Sequence, residues 1–265
     1  ALIASADGLE QWDGRLGPGP LNALHSTDRA MELSQVHGIG CVALANTNHW
    51  MRGGAYAWKA ASAGFVFLGW TNTIANMPAW GARDCRLGNN PLVIGVPYQE
   101  AAIVLDMAMS QYSYGTMEAY ELEGRQLPLP GGYDRMGRLS TDPSAILAAQ
   151  RPLPMGYWKG AGLSLLLDIL ATILSGGRSV FSLSQQKVEY GLSQVFIAID
   201  ISKLGHHARI GELLREIVLD YKQSEPADPE QSIVYPGERA RLRRVTYRRE
   251  GIPVDRTVWA AVQAL

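Results

Sequence analysis

Apolar and polar positions along this chain follow two rhythms. From Leu21 to His37, Leu21, Leu24, Met31 and Leu33 recur near one helical face, and Gly38 follows where a left-handed residue commonly closes a helix. A helix is expected there. "IGCVALANT" then runs almost unbroken in apolar residues, as a buried strand does; "MRGGAYAWKAASAG" returns to helical spacing and "FVFLGWTNT" to a strand. The order α-β-α-β predicts parallel strands. After Pro91, "PLVIGVP" and "AAIVLDMAMS" flank a polar turn and read as paired strands in a second lobe. Residues from Leu127 to Pro154, rich in Pro and Gly, read as a surface excursion. "LPMGYWKGAG" then opens an apolar helix, "AGLSLLLDILATILSGG", expected to be buried and, with Asp168 and its serines, too short and polar to span a bilayer. "QVFIAID" predicts a strand, Arg209 to Tyr221 a helix and "QSEPADPEQ" a linker, with Asp255 capping a terminal helix.

Composition narrows the class. Of 265 residues 47% are hydrophobic, enough for a proper core, and the formal charge of -1 creates no field that would gather polyanions. Nucleic acid and membrane are therefore not expected partners. The basic run "ERARLRRVTYRREG" reads as a solvated helix face. Cys41 and Cys85 have no CxxC spacing, which fits a reducing cytoplasm. The chain opens on "ALIASADGLEQWDG", with neither Met nor a basic leader, and is expected to be a piece lacking its natural beginning.

Candidate chemistry is sparse and each motif has two readings. "GIGCVA" satisfies a dinucleotide fingerprint in letters, yet it follows a helix and enters a strand, the reverse of what a pyrophosphate needs. In "WKGAGL", Lys159 and two glycines stand at a helix start, suited either to a phosphate or to close packing, and Trp158 either stacks on a ring or fills the core. Asp106 ends an apolar strand, as a ligand contact or as the cap of a turn. "WTNTIANMPAWGARDCRLGNNP" has a binding loop's composition, or that of a long connection. His25, His37, His206 and His207 are placed for surface or capping roles. His49 directly follows a strand and precedes two glycines, where a side chain enters a cleft or merely sits in a loop. No HExxH, CxxC or carboxylate-His set at ligand spacing is present, so no metal is expected.

The pieces "NTNHWMRGG", "GWTNTIANMPAWGA", "GNNPL", "VLDMAMS", "LPMGYWKGAGLSLLLDILATILSGG", "SQVFIAID" and "PGER", in this order, resemble the type-2 malate/L-lactate dehydrogenase family across essentially the whole chain. The resemblance implies an α/β fold of the sulfolactate-dehydrogenase type, a non-Rossmann mixed-sheet fold. It implies a cytoplasmic homodimeric enzyme that uses NAD, as NADH with NADPH as the other choice, to reduce a small 2-oxo acid, a sugar-derived diketo acid first among them. By similarity, Thr73, the run Ala102, Ile103, Val104, Leu105, Asp106, Met107 and Ala108, then Trp158, Lys159, Gly237, Glu238 and Arg239 would line the cofactor, and His49 would be the catalytic proton donor. Residues 1–70 would belong to a central α/β lobe, 71–155 to a cofactor-binding lobe, and 156–265 to the rest of the core and the C-terminal helices. Family members begin with a helical region carrying Ser-His-Gly, whose His is the assigned proton donor in some of them and which these 265 residues do not contain, so another 2-hydroxy-acid dehydrogenase of the family (malate, lactate or ureidoglycolate type) and a non-catalytic dinucleotide-binding remnant are the rival expectations. Asn89 stands where relatives commonly carry a threonine near substrate.

Overall fold

The computed structural model describes residues 1–99 and 101–264. The chain runs β1 (Leu2–Ala6), β2 (Leu9–Asp13), α1 (Gly19–His37), β3 (Ile39–Thr47), α2 (Gly54–Ser62), β4 (Phe65–Thr71), β5 (Met77–Pro78), β6 (Cys85–Leu87), β7 (Leu92–Tyr98) and β8 (Ala101–Met107). It continues with α3 (Tyr114–Leu122), β9 (Gly132–Tyr133), β10 (Leu139–Ser140), α4 (Pro143–Ala149), α5 (Trp158–Ser175), α6 (Val180–Ser184), β11 (Leu192–Asp200), α7 (His207–Lys222), α8 (Glu238–Glu250) and α9 (Arg256–Gln263).

Seven strands form one mixed sheet in the order β1-β2-β3-β11-β4-β7-β8. This is the expected non-Rossmann α/β architecture, but the parallel core inferred from the α-β-α-β order is not there. β3 and β4 share a direction, as a right-handed crossover through α2 requires, yet the crossover leaves a gap one strand wide. β11 fills it, antiparallel to both neighbours, and among the described residues only β2 with β3 is a parallel pair. β7 and β8 pair as expected and continue this same sheet beyond β4, inside which the boundary at residue 70 falls.

Helices cover both faces. α1 and α2 bury Ala23, Ala30, Leu33, Tyr56, Ala57 and Ala60 against Val42, Phe67, Val93, Val104 and Phe196. α5 lays Ala161, Leu167 and Ala171 on Ala43, Trp70 and Val195 from the other side. Small residues set the spacing. A Cβ at Gly40 would lie 2.1 Å from the Ala30 carbonyl oxygen, so glycine lets α1 approach β3, and Gly38 at φ 84° ends the helix as expected. Of the apolar residues expected on the inner face of α1, Leu33 and Met31 pack on the core, whereas Leu21 is 64% exposed and Leu24 also faces outward. Ala23, Ser26, Thr27 and Ala30 take the inner face instead, because a helix packed this close has no room for leucine there.

α5 also departs from expectation. Only a third of it is buried, and Leu165, Leu166, Ile169, Leu170 and Ile173 are exposed; by length and composition it is apolar enough to cross a membrane. The β1–β2 hairpin, joined by Asp7-Gly8, and helices α3 and α4 are additions to the sequence reading, with Asp142 capping α4 by accepting from the Ser144 amide. Asp255 caps α9 as expected. Cys41 and Cys85 are free, and burial pushes the Cys41 thiol up to about 11, so it stays protonated at neutral pH.

Glu10 on β2 is 2% exposed and accepts from Arg29 Nε at 2.9 Å, Arg29 Nη2 at 2.8 Å and Trp12 Nε1 at 2.9 Å, which ties the hairpin to α1. The Arg29 guanidinium, against the opposing effect of desolvation, holds its carboxyl below the ordinary value of 4.5. Because the folded value is the lower one, this contribution is complete above that ordinary value and is lost as pH falls through the folded value. Glu10→Gln should therefore lower neutral-pH stability by about 1–3 kcal/mol, toward the lower end because Arg29 is partly solvated, and should flatten the acid limb of a denaturation-versus-pH curve.

Candidate active site

His49 owes its position to its neighbours. At the end of β3 the register with β11 passes from Leu192↔Thr47 to Gln194↔Leu44, three steps against two, and Asn46 takes up the extra residue at φ 51°. This bulge turns the chain out of the sheet. Trp50 then plunges into the core at 1% exposure, beside Phe196, and its carbonyl accepts from the Tyr56 hydroxyl at 2.6 Å. With Trp50 inward, His49 is left facing solvent. Asn48 fastens the other side, donating from Nδ2 to the Leu16 and Gly17 carbonyls while its own carbonyl accepts from Gln194 Nε2. A Cβ at Gly19 would strike the His49 carbonyl at 2.1 Å, so this loop rests directly on the start of α1. His49 Nδ1 accepts the Met51 amide at 3.0 Å, which places the neutral ring's proton on Nε2.

Asp106 reaches the same loop from β8. Its Oδ2 accepts the Gly54 amide at 2.8 Å and stands 4.0 Å from Arg52 Nε, so the carboxylate caps α2. Around it, the run Ala102 to Ala108 divides by strand alternation. Ala102 and Val104 point into the core under α2, Ile103 packs with Tyr98, Val218 and Tyr235, and Leu105 lines a cavity of about 440 Å³ with Pro236, Gly237 and Arg239. The side chains of Ala102 and Val104 are thus buried. Met107 and Ala108 are half-buried, leading to Met109, whose amide donates to the Asn89 carbonyl.

Thr73, Asn89 and their loop are held by a buried polar lattice. Asn72 Nδ2 donates to Asp168 Oδ1 and to the Arg178 carbonyl, and its Oδ1 accepts the Ser193 amide. Asn90 accepts the Thr73 amide and donates to Ser164, whose hydroxyl donates to the Gly88 carbonyl at 2.6 Å. The Thr73 hydroxyl donates to the Ile74 carbonyl and, at 3.4 Å, to Asn89 Oδ1, which also accepts from Asn76. Asn89 thus braces the loop.

The α5 start differs from a free anion cradle. The amides of Lys159, Gly160 and Ala161 already donate to Gly156, Met155 and Tyr157 carbonyls, because Gly156 and Tyr157, at φ 58° and 61°, fold the turn back on itself. Gly160 is needed for that packing, since a Cβ would meet the Met155 carbonyl at 2.3 Å. Phosphate binding here would rest on the exposed Lys159 side chain, with exposed Trp158 beside it and Tyr157 against Trp80.

Gly237, at φ 86°, docks α8 on the outer edge of β8: the Val104 amide donates to the Pro236 carbonyl, and a Cβ on Gly237 would come within 3.0 Å of the Val104 carbonyl. Glu238 is buried and ion-paired to Lys222 of α7 at 2.5 Å, a structural tie, while Arg239 is exposed beside the cavity. The structure thus joins the His49 loop to Asp106, Asp106 through Met109 to the Thr73–Asn89 loop and the α5 turn, and Val104 to Gly237. It does not bring Lys159 or Trp158 into hydrogen-bond contact with the rest. Arg52, Trp58, Arg243, Arg244 and Arg248, which line a second cavity of about 740 Å³ between α2 and α8, escaped the sequence reading; the basic run had looked wholly solvated. Among the described residues no group of three His, Cys, Asp or Glu is placed to hold a metal.

A mixed sheet between helices, with β11 antiparallel between β3 and β4, defines an α/β protein outside the Rossmann class. The chain belongs to the malate/L-lactate dehydrogenase family, whose model matches residues 1–263. It is 49% identical over 99% of its length to the 2,3-diketo-L-gulonate reductase of Escherichia coli (strain K12), of which it covers 79%, and 48% identical to that of Klebsiella pneumoniae (strain 342), with the same coverage. Its fold superposes on sulfolactate dehydrogenase from Methanocaldococcus jannaschii with a TM-score of 0.84 at 25% identity, covering 98% of this chain and 75% of that one. For malate dehydrogenase from Pyrococcus horikoshii the values are 0.87, 27%, 100% and 75%. It is therefore an oxidoreductase acting on a carbonyl or hydroxyl group, and the family implies a nicotinamide cofactor.

Removing the amide at the centre of the lattice tests its weight. Asn72→Ala would strand the buried Ser193 amide at about 1–3 kcal/mol and leave Asp168 with the Val180 amide alone, and thermal melts should show a destabilisation of at least that size.

Proposed function

We propose that the chain is an NAD(P)H-dependent reductase that transfers hydride to the carbonyl of a small 2-oxo acid, 2,3-diketo-L-gulonate first. The observation that carries this reading is the identity with the two diketogulonate reductases, which holds over nearly the whole chain. Bound nicotinamide would supply the hydride. The residues present fit such a cofactor: the cavity beside Gly237 offers Leu105 and Pro236 as apolar walls, and Arg239 and Arg243 as cations with no ion-pair partner among the described residues. Lys159 adds an exposed charge for a phosphate. His49, its Nδ1 engaged by Met51, directs Nε2–H outward to the substrate carbonyl as the proton donor, and Asp106 holds the following loop in place through Gly54.

Homodimer assembly belongs to the same reading, and the exposed apolar row on α5 supports it. Two unpaired cysteines suit a cytoplasmic setting.

Steady-state rates on 2,3-diketo-L-gulonate, pyruvate and oxaloacetate with each reduced dinucleotide test the reading, and absence of turnover on all three would overturn it. His49→Asn should slow single-turnover hydride transfer by about 100- to 10,000-fold with little change in dinucleotide affinity; an unaltered rate would reduce His49 to a loop residue. Lys159→Ala should weaken NADH binding by about 10- to 100-fold in a fluorescence titration, as one charge-assisted contact is lost.

A further inference from the structure

Gln194 is out of place in the sheet. Alternation along β11 sends Val195 and Ile197 toward α5 and Phe196 and Ala198 toward α1 and α2, so Gln194 enters the apolar side that holds Phe196. Its neighbours across the ladder are Leu44 of β3 and Thr71 of β4, and it is 0% exposed. The Thr71 hydroxyl does not serve it, facing the Asn72 and Ser193 carbonyls at 3.0 and 3.4 Å instead. Oε1 of Gln194 is buried and has no hydrogen-bond partner among the described residues. A buried amide with an idle acceptor is less favourable than an apolar side chain of the same shape. Packing therefore gives no reason for glutamine here, and the reason must lie in the bond it does make.

That bond runs from Nε2 to the Asn48 carbonyl at 3.3 Å. It also fixes which way round the amide sits, since a flipped Gln194 would set Oε1 against another acceptor. The Asn48 carbonyl belongs to the planar peptide that joins Asn48 to His49, so whatever holds this oxygen sets the direction in which His49 leaves the chain. The same oxygen lies against the start of α1, where a Cβ on Gly19 would approach it to 2.3 Å. The Tyr56 and Asp106 bonds hold later residues of the loop, Trp50 and Gly54. Among the described residues, Gln194 is the side chain that bonds the peptide carrying His49.

We infer that Gln194 is a positioning residue for proton donation: through the Asn48 peptide it holds His49 at the angle from which Nε2–H meets the substrate carbonyl. The inference rests on the reductase reading above, with His49 as donor, and adds to it a residue that acts through His49.

Single-turnover hydride transfer, steady-state KM, NADH affinity and melting temperature, measured for the unaltered protein, His49→Asn, Gln194→Met and Gln194→Glu, test this. Methionine fills the same space without a donor. Gln194→Met should transfer hydride about 10- to 100-fold more slowly with KM, NADH affinity and melting temperature kept, the cost expected when one reacting group is misplaced by about 1 Å. Gln194→Glu supplies a readout that a merely structural role would not move. Burial raises the pKa of its carboxyl, and only the protonated form, present below that pKa, can donate to the Asn48 carbonyl. Its rate, taken as a fraction of the unaltered protein's at the same pH so that the titration of His49 cancels, should climb as pH is lowered, while the fraction for Gln194→Met stays level. An unchanged rate in Gln194→Met, a level fraction for Gln194→Glu, or a Gln194→Met variant that loses melting temperature and NADH affinity in step with rate would overturn the inference and leave the reductase reading standing. An unaltered rate in His49→Asn would remove the donor role on which it rests, and absence of turnover by the unaltered protein would overturn inference and reading together.

Discussion

The buried amide of Asn72 joins three parts of the chain that are far apart in sequence. It sits just past β4, receives the Ser193 amide of β11, and donates to Asp168 of α5 and the carbonyl of Arg178. A fully buried side-chain amide is tolerated only when its polar atoms find partners, and here each does. Through this one group the central strand, the helix on the far face and the loop toward Thr73 are placed relative to one another. The Asn90–Ser164–Gly88 bonds repeat the arrangement one layer away. The candidate site therefore rests on polar anchoring at the strand ends, while apolar packing of α1 and α2 holds the sheet from the opposite side.

What could be read from the sequence followed local chemistry. Apolar runs located β3, β4, β7, β8 and β11, and single residues such as Gly38 and Asp255 marked helix ends, because strand burial and capping are properties of a few adjacent positions. The antiparallel insertion of β11 was invisible for the opposite reason: strand pairing is decided by partners over a hundred residues away. α1 misled because leucine was taken as the mark of an inner face, whereas the close approach over Gly40 selects alanine, serine and threonine. α5 misled because an all-round apolar helix reads as buried whether or not something covers its second face.

The site divides in the same way. His49 stood out by its place after a strand, but its outward direction depends on the Asn46 bulge and the burial of Trp50, which are three-dimensional facts. Asp106 turned out to cap α2 across 52 residues, which no local pattern announces. The arginines of α8 carried a visible charge pattern; only the packing of α8 beside α2 turns part of it into the wall of a cavity.

The position of β11 bears on how the molecule is made. β3 and β4 emerge early, but the strand that satisfies their facing edges follows the loop after β4 by some 120 residues, as the Asn72–Ser193 separation of 121 shows. Until then two apolar strands hold open rows of amides and carbonyls, the state most open to pairing with another chain. Closure of the sheet must wait while those residues are synthesised, seconds at about 5–20 residues per second, and the unfinished chain is aggregation-exposed for that time.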